Sequence, residues 1–214
     1  MENLSSQEQG KKILFLISLP LTPEFKEMRD DVEECLQELH GQGVDVREHI
    51  WLEDLAAISN YDIVIIVAHS HPDHPAFVLA DGELTFNDFI DSLPSDFKGT
   101  LDISSCHSQT MAADIKEKCP DCKMQVALFT VPLLRRILIY PTIVEILNHD
   151  SSLDYNKAYD IVSKEFDKIL GEVPENQTSD DPMTVLGKKF TAVYAPKQVA
   201  LNEMFQIIVY IYYN

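Results

Sequence analysis

Basic residues are scarce in this chain. Lysine and arginine number 17 against 35 aspartates and glutamates, so the formal net charge is -18. A surface this acidic repels nucleic acid and anionic membranes, and it weakly favours a basic partner or substrate. Solubility is the plainest consequence of the charge. A glycine-rich phosphate loop and a basic platform with interleaved aromatics are both missing, so neither nucleic acid nor membrane is expected as a partner. No stretch approaches the roughly 18 consecutive apolar residues of a membrane span. The start, Met1 to Gln9, is polar and acidic. It lacks the positive charge and apolar run of a signal peptide, and a cytoplasmic location is expected. The only cysteines are Cys35, Cys106, Cys119 and Cys122. Without an export signal they read as reduced thiols. Internal repeats and long low-complexity stretches are also absent.

What is present is an alternation of strand and helix patterns. At 214 residues one domain is the default, long enough to bury a core. Residues 1–10 read as a flexible tail and 11–214 as a single α/β domain. Ile13 to Ile17 is a short apolar run closed by Pro20 and Pro23, as suits a strand buried on both faces. Phe25, Met28, Val32, Leu36 and Leu39 recur at spacings of three and four and predict an amphipathic helix. Thr22-Pro23 would start that helix, and Gly41 and Gly43 would end it. Further strands are expected at Val44 to Glu48, Asp62 to Ala68, Thr100 to Ser105 and Gln125 to Val131. Helices are expected at Leu52 to Ile58, Phe86 to Leu93, Met111 to Lys118 and Leu133 to Leu147. One more helix carries Ala158, Ile161, Val162, Phe166, Ile169 and Leu170 on one face. Gly171 to Asp181 reads as a mobile loop, and Phe190 to Tyr194 and Phe205 to Tyr213 as late strands. This alternation implies βαβ units: a mainly parallel sheet with helices on both faces, in three α/β/α layers.

In such sheets, sites form outside the carboxyl ends of the strands. The clearest buried strand runs straight into His69, and the strand from Thr100 runs straight into Cys106. The chain between them is long enough for one crossover. Adjacent parallel strands would present both side chains at one crevice. A thiol needs a base or a positive neighbour to become a thiolate near neutral pH, and a histidine within reach provides both. The oxyanion formed on attack at a carbonyl needs N–H donors, for which the helix start after Cys106 is a candidate source. Cysteine is also among the most commonly buried residues, and a core thiol at a strand end is the competing interpretation.

Ile65-Ile66-Val67-Ala68-His69-Ser70, followed by Leu101-Asp102-Ile103-Ser104-Ser105-Cys106-His107-Ser108, resembles the caspase-like cysteine peptidases, metacaspases and the CHAT family above all. Leu79 to Thr85 is similar to the stretch between the two motifs in CHAT proteins. The resemblance covers roughly residues 11 to 170 and rests on short motifs. It implies a caspase-like fold, a thiol protease acting on a peptide or protein substrate, Cys106 as nucleophile and His69 as general base and acid. The backbone N–H groups of Ser70 and Cys106 would form the oxyanion hole, and no metal or cofactor would be needed. Three positions depart from the pattern. Ser70 replaces the usual glycine after the histidine, and His107-Ser108-Gln109 replaces the Ser-Gly turn after the cysteine. Ser104 stands where metacaspases carry an acidic residue that reads a basic substrate side chain. An inactive member of the fold, acting as a regulatory or interaction module with a protein partner, is therefore the second reading.

A third reading comes from His69-Ser70-His71-Pro72-Asp73-His74, which is similar to the zinc motif of metallo-β-lactamase-like hydrolases. Imidazoles and a carboxylate suit zinc, which activates water. That fold needs several strands ahead of the motif, and only Ile13 to Ile17 and Val44 to Glu48 are on offer. Its later ligand motifs have no counterpart beyond His107. On the peptidase reading, His71, Asp73, His74, Ser104 and His107 instead line the rim of the site. Cys119-Pro120-Asp121-Cys122 looks like half a zinc ribbon. With no second pair, it reads as a helix-ending turn with two reduced thiols.

Overall fold

The structure, a computed structural model, describes residues 10–20, 29–71, 74–127 and 133–171. The tail up to residue 9, the Thr22-Pro23 helix start, Asp73 and everything expected beyond Gly171 lie outside these residues.

Strand β1 (Ile13–Ser18) is buried at all six positions, because its alternate side chains enter two different cores. Ile13, Phe15 and Ile17 face one, while Leu14 and Leu16 face the other. A strand of this kind must be apolar throughout. Helix α1 (Arg29–Gly41) follows, closed by Gly43 at φ +84°. That left-handed turn lets the Val44 N–H bond back to the Leu39 carbonyl at 3.1 Å. Then come β2 (Asp45–Arg47), α2 (Leu52–Ala56) and β3 (Ile63–His71). A hairpin of β4 (His74–Leu79) and β5 (Gly82–Thr85) leads into α3 (Phe86–Ser92) and β6 (Thr100–Ser104). The described chain ends with α4 (Ala112–Lys118), β7 (Lys123–Val126), α5 (Leu133–His149) and α6 (Tyr155–Gly171).

Five strands form a parallel sheet in the order β2-β1-β3-β6-β7. The β4–β5 hairpin continues it through antiparallel pairing with the last residues of β3, making seven strands in all. The chain steps outward from β1 to β2 and then reverses to β3, β6 and β7. With crossovers of one hand, that reversal sends the connecting helices to opposite faces. Side chains of α1, α5 and α6 accordingly share the core of Phe15 and Val67. Those of α2, α3 and α4 share the core of Leu16 and Ile66. The architecture is thus three-layered α/β/α around a mainly parallel sheet, as the sequence predicts.

Several boundaries shift from the sequence expectation by a residue or more, and three of these bear on the site. Strand β3 does not stop at Ala68; it runs on through His71 by pairing with β4. Strand β7 begins at Lys123, opposite Thr100 of β6, two residues ahead of the apolar run. Helix α4 is preceded by a separate 3-10 turn, Ser108–Met111.

Candidate active site

The register of β3 against β6 decides where His69 and Cys106 lie. Val67 stands opposite Ser104 in the parallel ladder. Two residues further along each chain come His69 and Cys106, so the two are level on neighbouring segments. Parallel neighbours are about 4.8 Å apart. The Ser70 hydroxyl donates to the Cys106 carbonyl oxygen, so contact between the two segments persists past the end of the ladder. Val67 belongs to the core on the α5 and α6 side, and strand alternation gives His69 that same face. His69 is exposed and Cys106 half-buried. Both therefore reach the carboxyl edge of the sheet, the edge at which open α/β sheets bind ligands, on the β6 side of β3.

His69 is not at the end of its strand, as the sequence suggests. It occupies the position where β3 leaves the parallel sheet and begins to pair with β4, opposite Val78. The hairpin grips β3 on one side, leaving the other side at this level to the Cys106 turn. Ser70, opposite Phe77, is buried.

Cys106 and His107 form the tight turn that ends β6. His107 takes the left-handed conformation, φ 56° and ψ 20°, which costs a non-glycine residue about 1 kcal/mol. The following residue fixes the turn. The Ser108 hydroxyl donates to the Ile103 carbonyl at 3.0 Å and accepts from the Ala127 N–H at 2.8 Å. Gln109 N–H donates to the Ala127 carbonyl at 3.2 Å, and Thr110 N–H to that of His107 at 3.1 Å. The helix expected to start at Met111 starts one residue later, at Ala112, behind the 3-10 turn Ser108–Met111. The first donors after the turn are committed to the turn itself and to the end of β7. Among the backbone hydrogen bonds of the described residues outside helices and strands, none uses the Cys106 N–H.

The rim residues divide. Ser104 is buried at the end of β6. His107 is half-buried beside the thiol. His74 faces away into an exposed contact, its Nε2 3.0 Å from Glu83 Oε2. His71 stands opposite His74 at the hairpin end; its side chain, Pro72 and Asp73 are outside the description. His69 to His71 thus end β3 and His74 begins β4, in line with a hairpin-like stretch turning at Asp81-Gly82. Among the described residues no group of three or more His, Cys, Asp or Glu side chains converges to hold a metal.

Asp102 escapes the sequence reading. It lies four residues before the cysteine and is fully buried beneath the edge. Its Oδ2 accepts hydrogen bonds from Tyr155 at 2.5 Å and Tyr140 at 3.2 Å. Burial, with the Asp102 carboxylate beside it, holds the Tyr155 hydroxyl well above its ordinary range. The three residues tie β6 to α5 and α6, fixing the strand that carries Cys106. The available signal was an acid interrupting the run Leu101-x-Ile103.

The other thiols are enclosed. Burial pushes Cys35 up to about 12 and Cys122 up to about 11. Cys119 is also raised by burial, and its Sγ meets the Pro94 carbonyl at 3.2 Å. None of the four is in a disulfide.

Among the described residues no helix is long and apolar enough to cross a membrane. No family model matches this sequence, and no curated protein matches it.

Proposed function

We propose that the chain is a cysteine endopeptidase of the caspase-like kind, with Cys106 as nucleophile and His69 as general base and acid. The supporting observation is that each residue lies two positions past Val67 and Ser104, the last pair of the parallel β3–β6 ladder, one exposed and one half-buried. His69 takes the thiol proton, and the Cys106 sulfur adds to the scissile carbonyl. The Cys106 N–H, with that of Ser70, receives the developing oxyanion. Collapse breaks the C–N bond, and the imidazolium returns its proton to the leaving amine. Water, deprotonated by His69, then hydrolyses the thioester and restores the thiol. The acidic chain favours a basic peptide or protein as substrate.

A second reading is a non-catalytic interaction module of the same fold. The buried Ser70 hydroxyl supports it, being committed to the carbonyl of the would-be nucleophile at the position where caspase-like peptidases carry glycine. Cleavage of a mixed-sequence fluorogenic peptide pool separates the two. Under the peptidase reading Cys106→Ala lowers turnover by about a thousandfold or more, with His69→Ala comparable, and the melting temperature stays unchanged. Cleavage that persists in Cys106→Ala rejects the assignment; no cleavage by the wild-type chain favours the module.

A further inference from the structure

An open groove of about 410 Å³ lies between the start of α2 and the β4–β5 hairpin. Its floor is apolar, built from buried Ile50, Leu79 and Leu84. Its wall is formed by Trp51 and Leu52, 53% and 47% exposed, the large hydrophobic side chains that the described residues leave to solvent. One face of the Trp51 indole is stacked on His49, with ring centroids 3.7 Å apart, so the ring is held in place. Exposed apolar surface flanked by charge is characteristic of an interaction site.

The flanking charge has one sign. Glu53, Asp81, Glu83 and Asp88 line the groove, and no lysine or arginine does. The Asp88 carboxylate accepts from the hydroxyl of Thr85, the N-cap of α3, and Glu83 contacts His74. Glu53 and Asp81 have no ion-pair partner among the described residues. Four carboxylates around an indole form an electrostatic complement to a cation, and the indole adds its own attraction for one. A second copy of the chain would bring a further net charge of -18 and be repelled, as would an anionic membrane.

We propose that this groove receives a lysine- or arginine-bearing segment of a partner protein, with an apolar side chain of that segment packed against Trp51 and Leu52. The Ala80 N–H donates to the Ser18 hydroxyl at 3.1 Å, which sets the hairpin turn at the carboxyl end of β1. The groove therefore runs along the same edge of the sheet as Cys106, on the β1–β2 side. It requires no chemistry at Cys106.

Trp51 is the only tryptophan in the chain, so its fluorescence reports on the groove directly. The probe is the peptide acetyl-Lys-Leu-Arg-Lys-Leu-Arg-amide, titrated into the full chain at low salt. Saturable change in Trp51 emission is expected. In a parallel anisotropy assay with labelled peptide, Trp51→Ala and the pair Glu53→Gln with Asp81→Asn each weaken binding by about tenfold or more. The control pair Glu117→Gln with Asp160→Asn, exposed acids elsewhere, changes it by less than about twofold. Three results overturn the proposal. One is no saturable signal at millimolar peptide. Another is equal weakening by the groove and control pairs, which means diffuse attraction only. The third is a self-associated chain, dissociated by Trp51→Ala, which means a second copy fills the groove.

Discussion

Cys106 and Cys122 lie on either side of the same short helix, α4, yet their thiols live in different surroundings. Cys122 closes the turn after the helix, its N–H bonded to the Cys119 carbonyl at 3.1 Å. Its sulfur is packed in the core with Leu101 and Ile115. Burial in that core raises the thiol to about 11. Cys106 stands before the helix, half-buried in a turn at the sheet edge, level with an exposed histidine. In the sequence Cys106 follows a strand and reads as the nucleophile, while Cys122 belongs to a Cys-x-x-Cys pair that reads as a helix-ending turn. Solvent access and the neighbouring side chain distinguish a reactive thiol from a packing residue.

The sharpest way to break that comparison is alkylation. Iodoacetamide at neutral pH should modify Cys106 in the folded protein about a hundredfold or more faster than Cys35 or Cys122. Peptide mass mapping over time reads the ratio. Equal rates under native conditions would erase the contrast.

Alkaline unfolding gives the next largest effect. The folded values of Cys35 and Cys122, about 12 and about 11, lie above the ordinary 9.0. The folded state therefore holds protons that the unfolded state releases. This contribution is complete below pH 9 and is lost as pH rises towards 11 and 12, at about 1.4 kcal/mol per pH unit for each thiol. Urea unfolding followed from pH 8 to 11 should show the decline. Cys35→Ala and Cys122→Ala should each flatten its slope.

Beneath the reactive edge, Tyr155→Phe removes the shorter hydrogen bond to a fully buried carboxylate. It should cost about 1.5–3 kcal/mol in urea unfolding. Tyr140→Phe, whose bond is longer, should cost less. A Tyr155→Phe protein as stable as wild type would show that Asp102 does not depend on this contact. The smallest effect is expected of Ser70→Ala, about 1 kcal/mol for the hydroxyl that holds the Cys106 carbonyl. The same change should alter the alkylation rate of Cys106 and leave that of Cys122 untouched.

The elements read most easily from sequence are those whose apolar pattern has a single cause. β1 and the first part of β3 are apolar at consecutive positions because both their faces meet a core. Elements held by a partner strand were less visible. His69-Ser70-His71 carries no apolar pattern, so the continuation of β3 could not be inferred; pairing with β4 creates it. Lys123 belongs to β7 through its position opposite Thr100, not through its side chain. The polar fastening of the Cys106 turn by Ser108 and the buried Asp102–Tyr155 contact join residues far apart in the chain, and no local spacing announces them.

The order of apolar and polar residues by itself determined the α/β class, the succession of strands and helices, and the position of His69 and Cys106 near strand ends. Those features follow from local periodicity and from the need of each apolar face for cover. Which strands became neighbours, in what register, and which of four thiols stayed within reach of solvent were decided only by the folded chain. Strand pairing and burial are relations between distant segments, and they acquire an energy only when those segments meet.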